Sequence, residues 1–384
     1  MGFERTRSIM NACDNPHLNL PVIQVVGTNG KGSVCAILAN ILKSAGYNTG
    51  LFTSPHLVHI NERIRINGQP IPNEEIDGFI HDYQQAIEKN KATFFETITA
   101  MACWYFNKNS VDIAIMETGL GGRLDSVSIC KPLLTIITPI SRDHMEILGE
   151  TLAEIAFEKA GAMKRDILCL SAKQKFEVSS TLQLAAKKNR TPLLFLNGIN
   201  KSRINVNIPG NKQKENADLV LYALEYLKGY NISDLAILNG LKTVKWYGRN
   251  QMLQKKPPII FDVAHNAEGI LCFLDYYKSL NILGTSILIL ALHSRKKIID
   301  IIPNLENVFK HIICTETDGR NPMPVDILAN YFNKDNSIDI IRDPIKAIKR
   351  GLEVLPKDGG MAIIGTHCLG PAINKMFKIS FDIL

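Results

Sequence analysis

Several things are missing from this 384-residue sequence, and each absence closes off a class of function. None of the eight cysteines falls in a CxxC pair, so zinc-ribbon and dithiol redox chemistry lack their spacing. The longest apolar runs, such as SILILAL, are far short of the roughly 20 residues that span a bilayer. No block of five like charges occurs, which removes the basic arm of a nucleic-acid binder. There is no internal repeat and no low-complexity tract. The opening MGFERTRSIM puts charges where a signal peptide needs an apolar stretch, and fits only the loose Met-Gly…Thr6 pattern of N-myristoylation.

What remains has the balance of a folded protein rather than a disordered one, with 46% hydrophobic and 21% charged residues. The length is too great for one comfortable core and suits two domains. A net charge of +7, with both signs mixed along the chain, is compatible with a polyanionic ligand. Cys103 and Cys169 sit inside apolar runs, where cysteine behaves as a small buried hydrophobe, which favours a reducing, cytoplasmic compartment.

Strand-like and helix-like segments alternate nearly throughout, which predicts an α/β fold built on parallel sheets. PVIQVVG reads as a buried strand, followed by a Gly-rich turn and a helix through SVCAILANILKSAG that stops at Gly46. YNTGLFTSP, VDIAIMETG and PLLTIITPIS read as further strands, and FFETITAMACWYFNKN as an apolar helix. In TLAEIAFEKAGAMK the spacing places Ile155, Lys159 and Met163 on one helix face. Residues 190–215 read as irregular, and ENADLVLYALEYLKG and ISDLAILNGLKTV as two helices. A second α/β series begins at PPIIFDVAH and runs through SILILAL, HIICTET, IDIIRD and GGMAIIGTH. WYGRNQMLQKKPP reads as the least structured stretch, which sets the expected domains at 1–246 and 247–384.

The strongest local signal is Gly27-Thr28-Asn29-Gly30-Lys31-Gly32-Ser33 between a strand and a helix. Glycines let main-chain N–H groups close around phosphate oxygens, and a helix N-terminus adds positive partial charge. Lys31 supplies a point charge for the terminal phosphates and Ser33 a hydroxyl for a metal ion. The common P-loop spacing is not met: its first glycine would fall at Val25, and Gly32 separates Lys31 from Ser33.

GTNGKGS resembles the phosphate loop of the Mur ligase family, in the form found in its folylpolyglutamate synthase and dihydrofolate synthase branch. Further segments match in order. Thr53-Ser54-Pro55-His56 and Asn61-Glu62-Arg63-Ile64 are similar to the family's TSPH and NERI. Glu117-Thr118-Gly119-Leu120-Gly121-Gly122-Arg123-Leu124-Asp125 resembles its E-x-G-x-G-G-R-x-D loop. Asp143-His144 with Leu148-Gly149, Glu158-Lys159-Ala160-Gly161, Gly248-Arg249, and Asp262 with Ala264-His265-Asn266 resemble the rest.

The resemblance implies an N-terminal P-loop-type ATPase domain, a smaller C-terminal Rossmann-like glutamate-ligase domain, and amide-bond formation through an acyl phosphate. It implies Mg²⁺ ligands at Ser54, Glu117 and His144, and catalytic roles for Lys31, Lys159 and His265, with Lys159 carbamylated. It assigns ATP to Thr28, Asn29, Gly30, Lys31, Gly32, Ser33, Asn216, Arg249 and Asp262, and substrate to Thr93, Leu124, Asp125 and Ser126. Nucleotide contacts from both domains imply closure before chemistry. The expected partners are a folate or dihydropteroate, L-glutamate and ATP, with no nucleic acid and no membrane, and the expected state is a monomer.

The sequence departs from the pattern in places. Ser126-Val127-Ser128 stands where ATN usually follows GGRLD, and Tyr247 replaces a hinge proline. Val263 replaces the glycine of DGAHN, and Arg142 takes a usually apolar position. Residues usual before the MGFER start are missing, and 171–210 is short. The ATP machinery is complete and the pterin side altered, which points to folate polyglutamylation more firmly than to dihydrofolate synthesis. Another Mur-type ligase, an ATP-binding regulatory protein without ligase activity, and a nucleotide kinase are the alternatives.

Overall fold

The computed structural model describes residues 3–196, 205–296, 298–319, 321–333 and 337–384. The Met-Gly start and the middle of the stretch read as irregular lie outside the described residues. The chain divides into two compact units, Met1–Asn207 with Gln213–Lys245 and Asp382–Leu384, and Ile208–Lys212 with Trp246–Phe381. The exchange of short segments has visible causes. Asn250 Nδ2 donates to Pro209 O at 2.8 Å inside the second unit. In the first, Leu384 N donates to Gly68 O at 3.1 Å and Arg65 donates to Asp382 O.

The first unit holds β1 (Val22–Val26), β2 (Thr49–Phe52), β3 (Ile64–Ile66), β4 (Gln69–Pro70), β5 (Ile113–Glu117), β6 (Leu134–Ile137), β7 (Cys169–Ser171) and β8 (Leu193–Phe195). Their order is β4-β3-β2-β5-β1-β6-β7-β8. Six strands from β2 to β8 are parallel, whereas β3 and β4 turn back as an antiparallel edge, so the sheet is mixed. Every residue of β1, β5 and β6 is buried, as expected for strands covered on both faces.

Helices α1 (Glu4–Ala12), α2 (Lys31–Ser44), α3 (Asn73–Lys89), α4 (Phe94–Lys108), α5 (Met145–Leu148), α6 (Leu152–Ala160), α7 (Phe176–Asn189), α8 (Asn211–Leu224) and α9 (Asp234–Thr243) accompany this sheet. α2 stops where Gly46 takes φ +92° and Tyr47 N reaches back to Leu42 O, a Schellman closure that a side chain with a Cβ strains. α6 opens on a reciprocal Thr151–Glu154 cap.

The second unit holds β9 (Gln251–Lys255), β10 (Pro258–Asp262), β11 (Ser286–Leu290), β12 (His311–Cys314), β13 (Ser337–Ile340) and β14 (Gly360–Ile364), in the order β13-β12-β11-β14-β10-β9. α10 (Ala267–Lys278), α11 (Ile302–Val308), α12 (Val325–Ala329), α13 (Pro344–Val354) and α14 (Gly370–Phe377) pack with it. The stretch read as least structured carries β9, antiparallel to β10. Being an edge strand with no fully buried residue, it shows little hydrophobic pattern. β8 and the first turn of α8 likewise fall inside the segment read as irregular. Among the described residues no helix is long and apolar enough to cross a membrane.

Candidate functional site

β1 ends at the Gly-rich loop, and two glycines there answer specific needs. Gly27 passes so close to Thr138 that a Cβ would stand 2.0 Å from its Oγ1. Gly30 takes φ +89°, and a Cβ would stand 2.6 Å from Asn216 Oδ1, so buried Asn216 lies against the phosphate loop. Thr28 N and Asn29 N donate to Pro139 O at 3.0 and 3.3 Å. Their side chains bond to Ser141, through its O and Oγ at 3.1 Å each. Thr28 and Asn29 therefore shape the loop, while the first turn of α2, Lys31-Gly32-Ser33, presents its main-chain donors. Ser33 Oγ is buried with no hydrogen-bond partner, as a hydroxyl awaiting a ligand would be.

Strand order brings distant residues to this loop. Glu117 ends β5 beside β1 and is only 4% exposed. Its Oε2 accepts the Ser54 N–H at 3.1 Å, and its Oε1 stands 3.7 Å from Lys31 Nζ. Lys31 Nζ also donates to Thr28 O at 3.2 Å. His144 caps α5 in the left-handed region, φ 51°, with Nε2 4.0 Å from Asp143 Oδ1. Among the described residues no three His, Cys, Asp or Glu form a metal cage. Mg²⁺ prefers oxygen ligands and keeps several waters, so the Glu117 carboxylate with a serine hydroxyl is a sufficient protein donor set for it. The buried, unpartnered Ser33 hydroxyl adds a further oxygen donor, so the oxygen donors beside the loop fit that ion.

Arg63 is a residue that sequence reasoning left without a role. Its Nε donates to His56 Nδ1 at 2.9 Å and its guanidinium lies 5.2 Å from the Phe94 ring centroid. Burial pulls its pKa down, and the charges of Glu117 and Glu62 oppose that pull, which sets Arg63 in the field of the site. The NERI segment was the available signal.

Lys159, on α6, is 5% exposed, and its Nζ donates to Gly27 O at 2.6 Å. Burial first, then repulsion from Lys31, brings it down to about 7, with Asp143 and Asp125 opposing. Asp125 is pushed up to about 6 by burial, although Leu120, Val127 and Gly119 N–H groups and Lys31 favour its ionised form. Its Oδ2 accepts from Gly119 and Leu120, each at 2.9 Å, and its Oδ1 from Val127 at 3.0 Å. Asp125 thus ties its own loop together. Leu124 is half-buried and Ser126 buried beside it. Thr93 caps α4: its Oγ1 accepts Glu96 N at 3.3 Å and its N donates to Glu96 Oε2 at 2.7 Å.

In the second unit, Asp262 ends β10 and is buried. Its Oδ2 accepts Asn250 N and its Oδ1 accepts Ala264 N, both at 2.7 Å. Burial raises its pKa, with Arg249 the largest opposing influence, followed by those two bonds and His265. Arg249 donates to Gly248 O at 3.0 Å. His265 Nδ1 lies 2.9 Å from Val263 O, a carbonyl that can only accept, so Nδ1–H is the donor. These three residues sit where the loops at carboxyl ends of parallel strands commonly bind ligands.

Comparison with known proteins gives the family. Residues 25–165 match the Mur ligase middle domain. The chain is 36% identical over 301 residues to a dihydrofolate synthase/folylpolyglutamate synthase of Bacillus subtilis, covering 70% of each chain. It is 30% identical over 336 residues to the enzyme of the same name from Escherichia coli, covering 83% of this chain and 78% of that one. The structure of E. coli FolC in complex with DHPP and ADP superposes with a TM-score of 0.90 at 26% identity, over 98% of this chain and 93% of that one. Mycobacterium tuberculosis folylpolyglutamate synthase complexed with ADP has the same fold, with a TM-score of 0.92 at 24% identity over 98% and 95% of the two chains. With the phosphate loop, the buried lysine and the carboxylate assembled as described, the chain belongs to the folylpolyglutamate synthase/dihydrofolate synthase family of ATP-dependent ligases.

Proposed function

We propose that this enzyme adds L-glutamate to tetrahydrofolates, with 7,8-dihydropteroate as a second acceptor, and does so as a cytoplasmic monomer. The observation that carries the reading is the convergence of Lys31, Glu117 and buried Lys159 behind one Gly-rich loop. In the first step an acceptor carboxylate oxygen attacks the γ-phosphorus of ATP, giving an acyl phosphate and ADP. The glutamate amine then attacks the acyl carbon, and phosphate leaves with the C–O electron pair as the amide forms. Thr28 to Ser33 would cradle the phosphates, with Lys31 offsetting charge as it passes between oxygens. Asn216, Arg249 and Asp262 are the further proposed nucleotide contacts, and His265 a proposed contact of the transferred phosphate. Thr93, Leu124, Asp125 and Ser126 are the proposed acceptor contacts.

Ser54, Glu117 and His144 would hold Mg²⁺, which when bound offsets the triphosphate charge. A lysine brought down to about 7 is largely neutral just above that pH, and only a neutral amine adds to carbon dioxide. The addition forms an N–C bond and releases one proton, leaving a carbamate anion. This supports carbamylated Lys159, and a mass spectrum of active enzyme under gentle conditions showing plain lysine would sink it.

The deciding experiment incubates the protein with ATP, Mg²⁺ and glutamate, offering tetrahydrofolate or 7,8-dihydropteroate separately. Product from tetrahydrofolate alone restricts the enzyme to polyglutamylation, and product from both makes it bifunctional. No product from either overturns the proposal.

A further inference from the structure

β1 is an apolar strand with one polar interruption. Gln24 stands in the middle of VIQVV with no solvent exposure, where an amide is costly unless it is hydrogen-bonded. Its Nε2 donates to Ser128 Oγ at 2.6 Å, a bond between residues 104 apart in the chain. Ser128 is itself buried, and its carbonyl accepts Lys164 Nζ at 2.6 Å. At the other end of the same turn, Ser128 N donates to Asp125 O at 2.9 Å and Val127 N to Asp125 Oδ1 at 3.0 Å. The turn Ser126–Ile129 is therefore gripped three times, by its own loop through Asp125, by Lys164 at the Ser128 carbonyl, and by the sheet through Gln24.

A second observation marks the same spot. Gln24 Oε1 and Thr135 Oγ1 are buried atoms with no hydrogen-bond partner. Gln24 and Thr135 are register partners on β1 and β6, so both side chains leave the same face of the sheet. Two unsatisfied polar atoms in register on one face mark this spot as the polar break in an apolar layer. Ser128 is also part of the segment where this chain departs from the ATN continuation of the family loop.

We infer that Gln24 is a positioning residue for the acceptor. Its amide clamps the Ser126–Ile129 turn to β1, and the combined length of side chains 24 and 128 sets where Leu124–Ser126 stands against the acceptor's ring system. A short hydroxyl at 128 is matched by a long amide at 24. The inference rests on the proposal that Leu124, Asp125 and Ser126 touch the acceptor.

The test compares wild type with Gln24→Leu, the gentler Ser128→Ala, and the length-exchanged Gln24→Thr/Ser128→Asn. Initial rates are taken while varying tetrahydrofolate, 7,8-dihydropteroate, ATP and glutamate in turn, alongside hydrogen exchange of the 126–129 amides and thermal unfolding. The expected result is a roughly 3- to 10-fold rise in KM for the acceptor in Ser128→Ala, with kcat and the other KM values held. Amides 126–129 lose protection with it, and the length-exchanged pair restores both. Lost protection with an unchanged acceptor KM would keep the clamp but remove the loop from the acceptor site, overturning the inference through the reading it rests on. Unchanged protection and kinetics in Ser128→Ala would show that no clamp exists. A parallel decline of Tm and every kinetic constant would make Gln24 a core residue only.

Discussion

Glu117, Lys159 and Asp125 in the first unit, and Asp262 in the second, are all nearly sealed from solvent, yet their surroundings differ. In the first unit, buried charges act on one another. Lys159 is lowered by burial and then by Lys31, with Asp143 and Asp125 opposing, and Glu117 lies 3.7 Å from Lys31. In the second, Asp262 also answers to Arg249, and its two oxygens take main-chain N–H groups from the loops at either side of β10. The contrast separates two uses of a buried carboxylate. Glu117 faces the charged Lys31, whereas Asp262 braces the backbone that presents Arg249 and His265.

The largest effects should fall on the first cluster. Lys31→Ala is expected to lower kcat by roughly 100- to 1,000-fold while the protein stays folded, measured as ADP release dependent on folate and glutamate. Lys159→Met should lose activity on the same scale and also change a stability profile. The unfolded lysine titrates near its ordinary 10.5 and the folded one at about 7. Between those values the unfolded chain binds more protons, so stability should rise with pH from about 7 to about 10 in carbon-dioxide-free buffer. Lys159→Met should flatten that rise, and a wild-type profile already flat above pH 7 would contradict the burial of an amine.

Asp262→Ala tests the other side of the comparison. It strands two buried donors, and urea unfolding should register a loss of about 2–4 kcal/mol. If Asp262→Ala instead left stability untouched while abolishing turnover, the contrast between the units would fail. Gly30→Ala follows, because φ +89° and the nearby Asn216 both resist a Cβ. About 1–2 kcal/mol of strain should appear, with a raised KM for ATP. Thr93→Val should be the mildest, with about 1 kcal/mol lost as a helix cap and a modest rise in the acceptor KM from the proposed contact. An unchanged KM would leave Thr93 a helix cap alone.

Much of this was legible in the sequence where burial writes a clear pattern. The runs that became β1, β5, β6, β10, β11 and β14 are apolar on both faces, and the Ile155, Lys159, Met163 spacing announced a lysine turned toward the core. α3 passed unread because Phe79 is its one buried residue among those described, leaving a narrow apolar stripe. β9 passed unread because an edge strand needs little apolar content. The role of Arg63 depends on strand order, since β2 must lie beside β5 before residues near 54 and 63 can meet Glu117. Thr93 is different. Its T-x-x-E pattern is that of the helix cap the structure shows, while its substrate role belongs to the proposed acceptor site.

The mixed edge of the first sheet has a consequence outside catalysis. An open row of main-chain donors and acceptors can recruit strands from other molecules and seed aggregation. Here the outermost strand, β4, has two residues, and one is Pro70, which has no N–H to offer an incoming strand. The antiparallel turn-back thus ends the pairing series at the β4 rim, so the parallel strands inward of it can assemble with that rim closed to strand addition.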